Sequence, residues 1–269
     1  HAQSPLSAAD IAAVVAAPDR STADRTTDQR RKPESMLAFI GVRPGMIALD
    51  LSAAGGYTTE LLARAIGPNG IVYGQSAPRD PNRAGPAVPE GNANPTAATP
   101  AQQATPQAPP AAPRVRRSSA ESLAARNESM RAAGAKSAPI VALSQKFESP
   151  VPAERTERGL DLATLMFNYH DLGHMAVDRA AMNKAVFAAL KPGGIYVIAD
   201  HAGRPGTGIS EAGTLHRMEE AFLRREVEAA GFRFVASADF LRNPNDPKDR
   251  NTPEPAQPKD EFVVKFVRP

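Results

Sequence analysis

Residues 46–74 read MIALDLSAAGGYTTELLARAIGPNGIVYG, and this stretch decides the fold. Residues 46–51 form a nearly continuous apolar run, which is typical of a strand buried on both faces. Small residues follow at 52–56, a helical pattern covers 57–66, and a Gly-Pro-Asn-Gly turn leads into a second apolar run at 71–74. The stretch therefore predicts a strand, a helix and a parallel strand joined by a right-handed crossover.

The same alternation continues along the rest of the chain. Periodicity predicts further helices over 7–17, 33–41, 118–133, 175–190 and 215–230. Apolar runs predict further strands over 140–143, 160–167, 195–199, 232–236 and 262–267. The last two strands are joined by a loop without a helix, so we expect an antiparallel pair. The whole pattern predicts an α/β fold with a doubly wound, mostly parallel seven-stranded sheet, Rossmann-like in its alternation.

A Pro/Ala-rich segment at 77–117 interrupts this alternation. Its first 37 residues contain 10 prolines, 11 alanines and one large aliphatic residue, Val88. Such a composition cannot bury enough apolar surface to offset the entropy of ordering the chain, so we expect a disordered insertion.

The predicted organisation has four parts. These are an N-terminal helical and charged extension at 1–32, whose residues 19–32 we expect on the surface, the first part of the main domain at 33–76, the insertion at 77–117 and the remainder at 118–269.

The composition excludes several classes of function. The net charge is +3, aromatic residues are 5% of the chain and tryptophan is absent, so we do not expect nucleic-acid binding. No apolar run approaches the roughly 20 residues of a membrane span. Cysteine is absent, and Ala2-Gln3 resembles a signal-peptidase junction. We expect a periplasmic or secreted protein whose signal peptide has been removed, with a cytoplasmic protein as the alternative; the oligomeric state is open.

Short polar motifs follow the predicted strands four and five and open the next helix. They are Tyr169-His170-Asp171, Asp200-His201 and Thr214-Leu215-His216-Arg217. Together with the loop at 50–57 and the Leu190-Lys191-Pro192-Gly193-Gly194 turn, they resemble the class I methyltransferases that depend on S-adenosylmethionine (SAM). More narrowly, the chain is similar to a group of bacterial proteins, often exported, whose methyltransferase activity is inferred from sequence.

The resemblance implies SAM as the cofactor and a small molecule as the methyl acceptor. The cofactor-binding residues that it implies are Asp50, Ser52, Ala54, Gly55, Gly56, Tyr57, Gln75 and Asn168. The chain departs from the family pattern twice. Ser52 and Ala54 replace glycines that let the backbone approach the cofactor closely. Gln75 replaces the acidic residue that binds the ribose hydroxyls, which removes a charge-assisted hydrogen bond.

Four of the five histidines, His170, His174, His201 and His216, follow these strands or open the next helix. Ligands of open α/β sheets bind outside the carboxyl ends of the strands, so we expect an active-site cluster there. His170 is the first candidate for the base that deprotonates the acceptor, with Asp171 as its orienting partner. Tyr169 is a candidate contact to the methyl group or the acceptor. His201 and His216 are second candidates for the base, or substrate contacts.

Three alternatives stay open at this point. The histidines can instead satisfy loop backbone groups. The protein can be a non-catalytic or repurposed binding protein on the same fold, because the loop departs from the pattern and SAM is made in the cytoplasm. It can also be a metal-dependent enzyme, since His170 and His174 are four residues apart with Asp171 and Asp200 near in sequence. No known zinc spacing matches, so we assign no metal ligands.

Two further features have competing interpretations. Arg217 either belongs to the site motif or forms a surface pair with Glu220. The loop at 242–249 either covers the pocket or is a surface connection, and we favour the second interpretation.

Overall fold

The computed structural model describes residues 3–79 and 117–269. The predicted disordered insertion lies outside the described residues, apart from its two ends. The helices in the described ranges are α1 (Ala8–Val15), α2 (Thr22–Arg31), α3 (Pro33–Ile40), α4 (Tyr57–Ile66), α5 (Ser119–Ala132), α6 (Tyr169–Leu172), α7 (Arg179–Ala189) and α8 (Glu220–Ala229). The strands are β1 (Ile47–Leu51), β2 (Ile71–Ser76), β3 (Ile140–Ser144), β4 (Leu160–Met166), β5 (Leu190–His201), β6 (Arg233–Ala238) and β7 (Glu261–Val267).

The seven strands form one sheet in the order β3-β2-β1-β4-β5-β7-β6. β7 runs antiparallel to β5 and β6, and all other neighbours are parallel. The predicted α/β architecture and its antiparallel last pair are therefore confirmed. The strand order reverses between β1 and β4, and this is the place where open α/β sheets bind ligands.

Two apolar cores cover the two faces of the sheet. Neighbouring residues of β1 belong to different cores, since Ala48 packs in one and Leu49 in the other, and both are fully buried. This alternation explains why the strand is apolar at nearly every position.

Helix α2 occupies the segment that the sequence analysis placed on the surface, and that expectation holds for its exposed face but is wrong for Arg20, Asp24 and Arg31. Asp24 and Arg31 are only 6% and 4% exposed. Asp24 accepts a hydrogen bond from Arg126 of α5 at 2.6 Å, and Asp28 accepts one from Tyr57 at the start of α4 at 2.7 Å. The charges of α2 therefore form intramolecular pairs that hold this helix beside the carboxyl ends of β1 and β2.

Three predicted boundaries differ from the structure by four residues or more. The helix expected from residue 175 begins at Arg179. The helix expected from residue 215 begins at Glu220, because His216 has a left-handed backbone (φ +51°) and Met218 pairs with Ala202 next to β5. The predicted turn at 191–194 is a bulge inside β5, between the residue pairs Leu160–Leu190 and Leu162–Ile195.

Candidate functional site

The loop after β1 has an alternating left-handed backbone. Positive φ angles occur at Ser52 (+55°), Ala54 (+46°) and Gly56 (+84°). These are the positions at which the family pattern has glycine. A left-handed conformation costs about 1–2 kcal/mol in a residue with a side chain, so the loop stores strain at Ser52 and Ala54.

We expect Ala54→Gly to raise the free energy of unfolding by about 0.5–1 kcal/mol, because the relieved strain exceeds the extra chain entropy of glycine. Urea denaturation measures this change. Ala53→Gly is the matched control, because Ala53 is 4% exposed and lacks the positive φ angle. This control should lose stability, and a loss in both variants would contradict the strain argument.

Gln75 holds one side of this loop in place. The N–H of Ser52 donates to Gln75 Oε1 at 2.9 Å, and the N–H of Ala53 donates to the Gln75 carbonyl at 2.8 Å. The Gln75 Nε2 donates in turn to the Gln145 carbonyl at 2.8 Å, and the side chain is fully buried. Gln75 thus has a structural role that the sequence did not indicate, and its contact to a ribose stays a prediction.

Helix α5 holds the other side of the loop. Ser119 Oγ donates to the Ala54 carbonyl at 2.7 Å, and Arg126 Nε donates to the Gly55 carbonyl at 2.6 Å. No acceptor in the described part of the chain pairs with the N–H groups of Ala54 and Gly55, and α4 begins after Gly56 without a side-chain cap. The loop therefore has its carbonyls satisfied and its N–H groups available to a ligand.

Asp50 lies beneath the loop and is 2% exposed. Its carboxylate accepts hydrogen bonds from Thr59 Oγ1 at 2.7 Å and Thr164 Oγ1 at 2.8 Å. Burial raises its pKa to about 6, although these two hydrogen bonds and the charge of Arg31 act in the opposite direction. Asp50 thus joins β1 to α4 and β4, and a direct contact with a cofactor stays a prediction.

The raised pKa makes a prediction about pH dependence. Because the folded state holds the Asp50 proton more tightly than the unfolded chain, its stabilising contribution is full below about pH 4 and is lost as the pH rises through about 6. The Asp50→Asn variant does not lose stability in this way, because asparagine does not ionise. The stability of the variant relative to wild type should therefore rise by about 3 kcal/mol between about pH 4 and about pH 8. Urea denaturation at both pH values measures the difference in free energy of unfolding between variant and wild type. The same difference at both pH values would refute the raised pKa of Asp50.

Asn168 connects the loop to the histidine motif. Ser52 Oγ donates to Asn168 Oδ1, and Asn168 Nδ2 donates to Asp171 Oδ2, each at 2.6 Å. The structure therefore brings together the small-residue loop and the residues after β4, as the sequence analysis expected from the edge of the sheet.

His170 lies at the centre of the histidine cluster and is fully buried. Its Nδ1 is 2.6 Å from Asp200 Oδ1, and its Nε2 is 3.2 Å from Asp171 Oδ1. Burial lowers the pKa of His170, but the two carboxylates outweigh this effect and raise it to about 10. In this arrangement the ring already has its second proton at neutral pH and would have to lose it before acting as a base.

The other two site histidines flank His170. The ring centroids of His201 and His216 are 5.2 Å and 5.6 Å from that of His170. His201 Nδ1 lies 2.7 Å from Glu261, a residue of β7 whose pKa burial raises to about 7. The side chain of His216 is 29% exposed and its Nδ1 is 3.5 Å from Asp171 Oδ1. Of His170, His201 and His216, solvent therefore reaches mainly His216.

The side chains of two predicted site residues, Tyr169 and Tyr57, point away from the histidine cluster and from the loop after β1. Tyr169 is fully buried, donates to Glu226 at 2.7 Å and accepts from Asn183 at 2.9 Å, so its hydroxyl lies between α7 and α8. Adjacent residues of a helix face different directions, and Tyr169 therefore does not join His170 in the cluster. Tyr57 is 6% exposed, and its hydroxyl is bound to α2.

Arg217 does not form the surface pair with Glu220, and that interpretation is wrong. Its side chain is fully buried and binds Asp246 at 2.8 Å and the Ala202 carbonyl at 3.0 Å. Asp246 also accepts the N–H groups of Lys248 and Asp260, so the loop expected to be a surface connection has a buried anchor. This anchor fixes the backbone next to His216.

Several solved structures are similar to this fold. A SAM-dependent methyltransferase from Aquifex aeolicus gives a TM-score of 0.53 at 16% identity, covering 93% of this chain and 100% of that chain. An arsenic(III) SAM methyltransferase from Chlamydomonas reinhardtii gives 0.51 at 15% identity, covering 96% and 72%. The [4+2]-cyclase SpnF gives 0.53 at 14% identity, covering 91% and 81%. No family model and no curated protein sequence matches the chain.

The chain has the methyltransferase fold. Identities this low establish the fold alone, and the methyltransferase fold supports more than one reaction, since SpnF is described as a cyclase. Among residues 3–79 and 117–269, none of the helices combines the length and apolarity that a bilayer span requires.

Within this methyltransferase fold, sequence reasoning missed Arg31. The Arg31 guanidinium lies 3.8 Å from the centroid of the ring of Phe167, the residue that precedes Asn168 in the chain. Arg31 is only 4% exposed. Burial lowers its pKa to about 9, and the nearby Arg30 adds to this effect. Arg31 belongs to a run of charged residues that read as a solvated surface, so the sequence carried no signal for its burial.

Proposed function

We propose that the protein is a SAM-dependent methyltransferase that acts on a small molecule. One observation carries the proposal: the left-handed loop after β1 is hydrogen-bonded through Asn168 to Asp171 and the histidine cluster, at the place where the strand order reverses. A cofactor on the loop and an acceptor at the histidines would therefore be neighbours, and positioning of this kind is the main requirement of a methyl transfer.

The loop offers donors that suit the cofactor's carboxylate. The N–H groups of Ala54 and Gly55 and the uncapped start of α4 face an anion favourably, because the helix dipole is positive at that end. Gln75 Oε1 accepts one hydrogen bond from Ser52 and is fully buried, so its proposed contact to a ribose hydroxyl requires the loop to open at Ser52.

The acceptor fits best against Asp171 and His216, the side of the cluster that solvent reaches. His170 as the base stays a prediction, and its two carboxylate partners favour a supporting role in which it orients Asp171. Within the proposal, His216 is the ring that contacts the acceptor.

Calorimetry with SAM and with S-adenosylhomocysteine tests the proposal. We expect both compounds to bind with a Kd below about 1 mM. S-adenosylhomocysteine, the product that SAM leaves after methyl transfer, should compete with SAM for the same site. If neither SAM nor S-adenosylhomocysteine binds, the proposal is rejected.

A repurposed binding protein on the same fold is the second candidate, and the side chains at Ser52 and Ala54 favour it because they narrow the loop. It predicts that the protein does not bind SAM. The calorimetry above therefore separates this candidate from the enzyme. If SAM binds, an acceptor screen with radiolabelled SAM then tests whether its methyl group is transferred.

The cysteine-free composition supports the further proposal that the protein acts outside the cytoplasm. Cell fractionation tests this location, and recovery of the protein in the cytoplasm would contradict it.

A further inference from the structure

The histidine cluster has the donor arrangement of a metal site. His170 Nε2 and His216 Nδ1 lie 3.2 Å and 3.5 Å from the same oxygen, Asp171 Oδ1. Ligand atoms from these three residues all lie within 4.8 Å of one another. Bonds of about 2.0–2.2 Å to a tetrahedral ion place neighbouring ligand atoms roughly 3.3–3.5 Å apart, which is close to the separations here.

The residues behind these ligands are also those that a metal site needs. His170 faces Asp200 through Nδ1 at 2.6 Å. A bound ion would displace the proton from Nε2, while Nδ1 keeps its proton toward Asp200. Asp171 is oriented by Asn168, which donates to its other oxygen. This carboxylate–histidine–metal order is the usual outer-shell arrangement of metal ligands in proteins.

The geometry points to a divalent transition-metal site formed by His170, Asp171 and His216, beside the position proposed above for the acceptor. Two imidazoles and one carboxylate suit Zn²⁺ or a similar ion better than Mg²⁺, which prefers oxygen ligands. Three protein ligands leave a fourth position for water or for an oxygen of the acceptor, toward the exposed side of His216. Metal binding of this kind does not depend on the methyl transfer proposed above.

A second triplet, His170, Asp200 and His201, is also close enough to hold an ion. In that triplet, however, Asp200 already accepts the backbone N–H groups of His170 at 2.7 Å and His201 at 2.8 Å, in addition to its contact with the His170 ring. An ion there would displace hydrogen bonds that hold two strand ends, whereas the first triplet keeps them.

Titration of chelator-treated full-length protein with Zn²⁺, in the absence of SAM, tests the site. We expect saturable binding of one ion, a thermal unfolding midpoint that rises with the Zn²⁺ concentration, and no such effect with Mg²⁺. Co²⁺ should give the visible absorption bands of a four-coordinate site. Absence of Zn²⁺ binding overturns the proposal, and NMR that shows both nitrogens of His170 protonated would then identify the cluster as an ion-pair network.

Two variants locate the ion. His216→Asn keeps a residue that tolerates the positive φ angle at this position and should weaken Zn²⁺ binding at least about 100-fold. His174→Asn is the matched control, because its ring centroid lies 6.1 Å from that of His216 and it is outside the triplet. It should bind Zn²⁺ as the wild type does. Equal losses in both variants, or unchanged binding in His216→Asn, would overturn the assignment.

A separate SAM titration of the same chelated protein keeps the two proposals distinguishable. Failure to bind SAM rejects the proposed methyltransferase and leaves the Zn²⁺ result standing. Failure to bind Zn²⁺ rejects the metal site and leaves the SAM result standing.

Discussion

The Ala54→Leu variant is expected to bind SAM at least about 100-fold more weakly than wild type, a change of about 2.8 kcal/mol in binding free energy. In the proposed binding mode the loop backbone at Ser52 and Ala54 approaches the cofactor, and position 54 is partly exposed in a left-handed conformation. A branched side chain there takes the room that the ligand needs. Calorimetry measures the affinity.

Ala54→Gly is the control for this effect, because it changes the same position and removes the side chain. It should bind SAM at least as tightly as wild type, since it restores the residue that the family pattern has at this position. Circular dichroism and the unfolding midpoint must show that the leucine variant is folded. Unchanged SAM affinity in a folded Ala54→Leu protein would place the cofactor elsewhere.

Replacing Arg217 by methionine should produce the largest loss of stability. Methionine keeps much of the apolar volume but leaves Asp246 with a buried charge and no cation at 2.8 Å. Breaking a buried pair in this way costs about 3–5 kcal/mol, because the remaining carboxylate loses its partner without regaining water. Urea denaturation measures the loss.

Arg131→Met is the matched control, since Arg131 pairs with Glu128 on the surface with a side-chain exposure of 74%. It should leave the urea midpoint unchanged, because solvent and salt screen exposed ion pairs. A double variant, Arg217→Met with Asp246→Asn, removes the unpaired charge and keeps an acceptor oxygen for the loop N–H groups, so it should recover part of the lost stability. Equal effects of Arg217→Met and Arg131→Met would show that the buried pair has no special weight.

The sheet could be predicted from the sequence because its determinants are local. The apolar run of β1, the small-residue loop and the periodicity of α4 each reflect which faces are buried over a few residues. Ser7 caps α1, and Ser118 and Glu121 form a capping box at the start of α5; these features are local in the same sense, because each cap lies next to the helix that it stabilises.

The burial of charged residues could not be predicted in this way. Helix α2 has a sequence that looks solvated, and only partners such as Arg126, about a hundred positions later, explain why Asp24 is buried. Arg217 is similar, because Asp246 lies in a loop without any periodic pattern. An ion pair between distant segments cannot be recognised from the sequence of either segment alone.

Part of the candidate site followed from the position of its residues at the ends of the strands. As the rule for open sheets predicted, His170 and His216 lie beside Asp171, which Asn168 connects to the loop after β1, and the roles of the histidines stay predictions. The rule could not give the direction of each side chain. Tyr169 and His170 are adjacent in sequence, yet their side chains reach different sides of the sheet edge.

The hydrogen bonds from Ser52 through Asn168 to Asp171 connect the loop after β1 to the histidine cluster, so we expect ligands at these two places to influence each other's affinity. A molecule that reorients Asn168 from the loop side changes the energy of binding at Asp171, and linkage requires the reverse effect to have the same size. A ligand bound at the loop would thus change the affinity for a ligand at Asp171, and the reverse. An order of ligand addition could then arise without any moving domain.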